Sequence, residues 1–165
     1  MESQTKNVHI LLGSNLGNRV LFLNLAKDLL KEYVGDIVGL SSIYETEAWG
    51  KTDQPSFLNQ LIVYKTDLCP EKLLECCLTI EKDLGRERIE KWGSRIIDID
   101  ILYYENQIVS TKKLKIPHPE IQNRRFVLTP LVEICNDFIH PKLHKTQKLL
   151  LLECKDNLTV KKYKI

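Results

Sequence analysis

Two acidic residues in one short stretch carry the chemistry this sequence most directly suggests. In Ile96-Ile97-Asp98-Ile99-Asp100-Ile101-Leu102 apolar and acidic residues alternate, the pattern of a strand with two unlike faces. Side chains two apart on a strand share a face, so Asp98 and Asp100 point one way while Ile97, Ile99 and Ile101 point into a core. Their attachment points lie about 7 Å apart along the strand. At about 6 Å and an effective dielectric of about 20, two carboxylates repel by roughly 3 kcal/mol. Solvent, a positive neighbour or a divalent cation can relieve that repulsion. Oxygen-only donors with no His or Cys beside them favour Mg²⁺ over zinc, and Mg²⁺ completes its shell with water and phosphate oxygens. Just ahead stand two basic clusters, Gly85-Arg86-Glu87-Arg88 and Lys91-Trp92-Gly93-Ser94-Arg95. Guanidinium forks suit phosphate oxygens, so cations leading into two metal-holding acids are what a polyphosphate substrate requires. The plainer reading, a solvated polar edge and a charged loop, stays open on spacing alone.

Other candidates carry less. Gly13-Ser14-Asn15-Leu16-Gly17 lacks the Gly-Lys-Ser/Thr of a P-loop, which leaves a tight strand-to-helix turn. His140 and His144 stand four apart, but Pro141 breaks the helix that would align them as metal ligands. The 5 cysteines contain no C-x-x-C pair and read as ordinary thiols of a reducing compartment. The polar opening, Met1 to Asn7, has no signal-peptide core, and the run Leu149 to Leu152 is far short of the ~20 residues of a membrane span. A cytoplasmic protein without a membrane partner is therefore expected. With 43% apolar and 28% charged residues, the 165 residues should fold as one domain spanning 1–165. A net charge of 24 − 22 = +2 argues against a protein whose main task is coating nucleic acid.

The elements that must position these groups follow from periodicity. Val8 to Leu12, stopped by Gly13-Ser14-Asn15, reads as a buried strand. Leu21/Phe22, Leu25, Ala26, Leu29 and Tyr33 recur at helical spacing, with Asn18 as cap and Gly35 as stop. Ile37 to Tyr44 and Leu58 to Thr66 read as strands. A second helix begins near Pro70, a residue favoured in the first turn, presents Leu73, Cys77, Ile80 and Leu84, and ends at Gly85. Ile96 to Tyr104 is the strongest strand. The order βαββαβ predicts an α+β fold, a ferredoxin-like antiparallel sheet with helices packed on one face. Beyond Ile108 a hairpin and a short helix near Leu143–Cys154 are expected as a C-terminal extension.

The stretch from Lys91 to Leu102 also resembles the signature of the 6-hydroxymethyl-7,8-dihydropterin pyrophosphokinase (HPPK) family. Gly13-Ser14-Asn15-Leu16-Gly17, Ser42-x-Tyr44-x-Thr46, Asp53-Gln54-Pro55-x-Phe57-Leu58-Asn59, Ile116-Pro117-His118 and Asn123-Arg124-x-Phe126 resemble its other blocks, in the family's order. The departures include Glu47 and Trp49, Ser94 for a frequent proline, Lys115, and Pro119 after His118. The resemblance implies transfer of pyrophosphate from ATP, as co-substrate, to the pterin's hydroxymethyl oxygen, with release of AMP, in folate biosynthesis. By the same resemblance Asp98 and Asp100 hold two Mg²⁺ ions, and Arg86 and Arg95 complete the catalytic set. Glu81, Arg88, Trp92, Arg95, Lys113, His118 and Arg124 line the ATP side. Phe57 and Phe126 sandwich the pterin ring, Thr46 and Asn59 hydrogen-bond its edge, and Glu47, Trp49 and Trp92 add contacts. A monomer acting on small molecules, with no nucleic-acid partner, is implied. Read without the resemblance, Phe57 and Phe126 suit a core and His118 a turn between prolines. The competing reading is a non-catalytic ferredoxin-like module that binds nucleotide or RNA, and paired acids on a sheet face count against RNA.

Overall fold

A computed structural model describes residues 4–47, 55–85 and 96–165. β1 (Lys6–Ser14) leads into α1 (Arg19–Tyr33), β2 (Gly35–Leu40), β3 (Tyr44–Thr46), β4 (Phe57–Thr66), α2 (Pro70–Asp83) and β5 (Asp98–Tyr104). The chain continues through a hairpin of β6 (Val109–Ser110) and β7 (Lys115–Ile116), a 3₁₀ turn (Ile121–Asn123), α3 (Arg125–Cys135), α4 (Gln147–Glu153) and β8 (Val160–Lys162). The main sheet runs β5-β1-β4-β3-β8, with β2 also paired to β4. Every pairing in it is antiparallel, the ferredoxin-like arrangement expected from the element order.

Both faces of this sheet are covered. Val8, Ile10, Leu12, Leu58, Ile62 and Tyr64 meet Leu23, Ala26 and Leu30 of α1 and Leu73, Cys77 and Ile80 of α2. Leu11, Leu61, Leu102 and Tyr103 meet Val127, Leu128 and Leu131 of α3 and Leu150 of α4. The expected single helical layer thus holds for α1 and α2 only; α3, which the sequence reading omitted, covers the second face. The α1 cap is as expected, the Asn18 Oδ1 accepting the Leu21 N–H at 3.1 Å. Its inward stripe is only partly so. Ala26 is buried and Phe22 and Leu29 pack on the core as expected, but Leu21, Leu25 and Tyr33 are 47%, 39% and 58% exposed while Leu23 and Leu30 are fully buried. Asn24, Lys27, Asp28, Lys31 and Glu32 form one polar face, so the helix has a single broad apolar stripe, and packing centres it on the Leu23 and Leu30 side.

Two irregularities matter for the site. The expected strand Ile37–Tyr44 divides into β2 and β3, and side chains bridge the break: the Ser41 Oγ accepts the Leu61 N–H at 2.9 Å and the Gln60 amide donates to the Ser41 carbonyl at 3.0 Å. Between β1 and β5 the register shifts, with Ile10 opposite Ile101 but His9 opposite Tyr103. Leu102 is the extra residue of a β-bulge. Ile97, Ile99, Ile101 and Tyr104 consequently enter the first core, while Leu102 and Tyr103 both enter the second.

Candidate active site

Because Ile99 and Ile101 face α1 and α2, strand alternation turns Asp98 and Asp100 to the opposite face, the side of α3. Both are half-buried. Strand register extends a row from them: Asp98 lies opposite Gly13, Gly13 opposite Asn59, and Asn59 opposite Tyr44. One step toward the end of the sheet, Phe57 lies opposite Thr46. Two strand spacings, about 10 Å, separate the acidic end of this row from Asn59, a gap that a bicyclic ring can bridge. Gly13 is the floor between them. A Cβ there would stand 2.8 Å from the Asn59 Nδ2 and 3.7 Å from the Phe57 Cδ1.

Polar groups at the Asn59 end await a partner. Asn59 and Thr46 are 4% and 2% exposed. The Asn59 Nδ2 donates to the Leu12 carbonyl at 3.2 Å, but the Asn59 Oδ1 and the Thr46 Oγ1 have no hydrogen-bond partner among the described residues. Buried polar atoms are ordinarily satisfied, so two neighbouring exceptions make this end of the row a candidate contact for a polar-edged ligand. Phe57 and Phe126 are half-buried rather than core; Phe126 borders the second core, with the Arg124 guanidinium 5.9 Å from its ring centroid.

The other wall is built around the bulge. The His118 N–H donates to the carbonyl of the bulged Leu102 at 3.0 Å, which ties the segment after β7 to the acidic strand. Burial, with the nearby Arg124 charge, holds the His118 imidazole below its ordinary range, against the opposing pull of Asp98 and Glu120. His118 is therefore neutral at pH 7, and its Nδ1 accepts the Glu120 N–H at 3.1 Å. That leaves the proton on Nε2, a neutral donor suited to a phosphate oxygen. Arg124 precedes α3, whose first turn is capped by Asp156: its Oδ2 accepts the Arg125 N–H at 2.9 Å and its Oδ1 the Leu158 N–H at 3.0 Å.

The structure thus brings Asp98, Asp100, Asn59, Thr46 and Phe57 to one sheet face, with His118, Arg124 and Phe126 on the segment that returns across it. Glu81 is buried on α2, the same helix whose Cys77 feels the charge of Asp100. Lys113 is exposed in the turn between β6 and β7, and Glu47 is exposed just after β3. Trp49, Arg86, Arg88, Trp92 and Arg95 lie outside the described residues. His140 and His144 are not paired on a helix: the His140 Nδ1 accepts the Lys142 and Leu143 N–H groups, each at 3.1 Å, as a turn residue does. All 5 cysteines are free, and among the described residues no helix is long and apolar enough to cross a membrane. The reading from sequence took Gly13 for a turn residue only; its place in β1, opposite both Asp98 and Asn59, was visible only in the register.

The sequence profile of the 7,8-dihydro-6-hydroxymethylpterin-pyrophosphokinase family matches residues 9–136. The chain belongs to this family. It is 43% identical over 141 residues to the 2-amino-4-hydroxy-6-hydroxymethyldihydropteridine pyrophosphokinase of Aquifex aeolicus, covering 86% of this chain and 88% of that one. With the enzyme of the same name from Bacillus subtilis it shares 44% identity over 128 residues, 77% of each. Among solved structures, wild-type Plasmodium falciparum HPPK-DHPS with pterin and p-hydroxybenzoate superposes with a TM-score of 0.74 at 20% identity. That likeness supports the fold; it covers 92% of this chain and 43% of the longer one. The HPPK profile spans β1 to α3, so it contains all the described residues that this section assigns to the cleft except Asp156.

Proposed function

We propose that this chain transfers the pyrophosphoryl group of ATP to the hydroxymethyl oxygen of 6-hydroxymethyl-7,8-dihydropterin, as the HPPK family does in folate biosynthesis. The hydroxymethyl oxygen attacks the β-phosphorus. The bond from that phosphorus to the oxygen shared with the α-phosphate breaks, AMP leaves with that oxygen, and the hydroxyl proton passes to solvent. The observation that carries the assignment of roles is the row Asp98–Gly13–Asn59, acidic at one end and, with Thr46, short of hydrogen-bond partners at the other. The Asn59 Oδ1 and Thr46 Oγ1 read the polar edge of the pterin, and Phe57 and Phe126 take its faces. His118 and Arg124 orient the phosphates by donating hydrogen bonds, which holds nucleophile and phosphorus in line.

Two carboxylates on one face, offering only oxygen, suit Mg²⁺, and among the described residues no third His, Cys, Asp or Glu joins them; water and phosphate oxygens complete such a shell. Asp98 and Asp100 would hold Mg²⁺, which would supply neutralisation of the phosphate charge. The acids are holders of charge rather than proton acceptors.

Incubation with ATP, Mg²⁺ and the pterin should yield AMP and pterin pyrophosphate in equal amounts, followed by chromatography of both products. Formation of ADP would contradict pyrophosphoryl transfer.

A further inference from the structure

We propose that Glu133 of α3 is a positioning residue that sets the separation of the two walls of the pterin cleft; the inference rests on the pterin-facing roles given above to Thr46 and Phe126. β3 has 3 residues and begins after the break at Ser41, too short to hold its own aim. It carries Thr46, the hydroxyl of one wall. α3 carries Phe126 of the other wall, and Glu133, two helical turns further on, shares its flank of the helix.

A single carboxylate fastens one to the other. The Glu133 Oε1 accepts the Ser42 N–H at 2.7 Å, and its Oε2 accepts the Ser42 hydroxyl at 2.6 Å. The Tyr44 phenol lies near enough to the same carboxylate to feel its charge. The Lys162 ammonium of β8 lies 3.7 Å from its Oε2. These bonds hold Glu133 below the ordinary carboxylate range despite its partial burial, and burial together with Glu133 pushes the Tyr44 phenol up to about 12. Tyr44 and Thr46 lie two apart on β3, so their side chains share a face, and each is in register with a cleft residue, Asn59 and Phe57. On the outer edge β8 pairs with Tyr44–Thr46, and the Tyr163 N–H donates to the Ile43 carbonyl at 2.8 Å. The strand is thus fixed on three sides, and the Glu133 side is the one that refers its position to Phe126. Ser42, which had no chemical role of its own in the sequence, donates the two bonds of this brace, and Tyr44 stands beside it.

Loss of the brace should loosen the grip on the pterin and leave the phosphate side alone. Glu133→Ala is expected to raise KM for the pterin about tenfold, with kcat and KM for ATP within about twofold of the parent. Glu133→Gln, which keeps an acceptor oxygen for Ser42, should recover part of the loss. Ser42→Ala removes the hydroxyl donor without touching the carboxylate and should give a smaller rise in the same constant; it decides the matter if Glu133→Ala fails to fold. An unchanged KM for the pterin in the folded variants, or equal shifts in kcat and both KM values, overturns the proposal. Absence of pterin pyrophosphate with the parent protein would instead overturn the functional reading itself.

Discussion

Asp98 and Asp100 differ from a solvated pair of surface acids because each faces a populated wall: His118 is tied through the Leu102 carbonyl to their own strand, and Gly13 lies opposite Asp98. Asp98→Ala or Asp100→Ala should abolish measurable turnover while the melting temperature stays within a few degrees, since removing one of two like charges relieves repulsion. Near-normal kcat in either variant would remove both from the assigned role. Gly13 invites a subtler test. Gly13→Ala places a methyl 2.8 Å from the Asn59 Nδ2, so the amide must shift away from the Leu12 carbonyl that orients it. Weaker pterin binding by about tenfold, read by calorimetry with a non-hydrolysable ATP analogue present, is the expected result. An unchanged Kd would show that Asn59 does not read the ring edge.

At the level of elements, α3 is the piece that makes a sheet into a cleft, for it brings Arg124 and Phe126 over the face that carries the acids. Its start depends on a residue far along the chain: Asp156→Ala removes the acceptor of the Arg125 N–H, and a loss of about 1 kcal/mol of stability is expected from chemical denaturation. No such loss would mean that water replaces the cap without cost. α3 was also the least legible element. Pro130 stands inside it, and a proline in a run as apolar as Phe126 to Leu131 disguises the helical period. The strand Ile37–Tyr44 was legible as extended chain but not as two pieces, because its interruption is made by the Ser41 hydroxyl and by Glu133, which no local pattern foretells. β5 and α2 were read correctly, since alternation across Asp98–Ile101 and the spacing of Leu73, Cys77 and Ile80 each admit a single face. For α1 the apolar side was legible but its centre was not: Leu21, Leu25 and Tyr33 lie at its exposed margin, and packing chose Leu23 and Leu30.

Across the whole molecule the second core ends in a group that sits poorly with acid. His9 is wedged against Tyr103 and Phe138, with ring centroids 5.5 and 4.9 Å away, and its Nδ1 has no partner among the described residues. Burial lowers its pKa from 6.5 to about 4. The folded state therefore keeps His9 neutral where the unfolded chain would protonate it. Its contribution is complete above pH 6.5 and is lost as pH falls toward about 4, in all about 3 kcal/mol. His118 and His140, also lowered mainly by burial, act in the same direction. His9→Leu should flatten the fall in melting temperature between pH 6.5 and 4; a slope equal to the parent's would place the acid sensitivity elsewhere. His9 is also the residue at which β1 meets the bulge, and the bulge has a larger consequence. A regular β5 would impose one parity along its whole length, so that two odd-numbered neighbours of the acids and Tyr103 would have to look the same way. The single surplus residue at Leu102 resets that parity: the strand shows carboxylates to the cleft at one end and an aromatic ring to the same side at the other. A strand of the same length kept regular would face an incompatible choice, either a phenol moved out of the second core or both acids turned beneath α1 and α2.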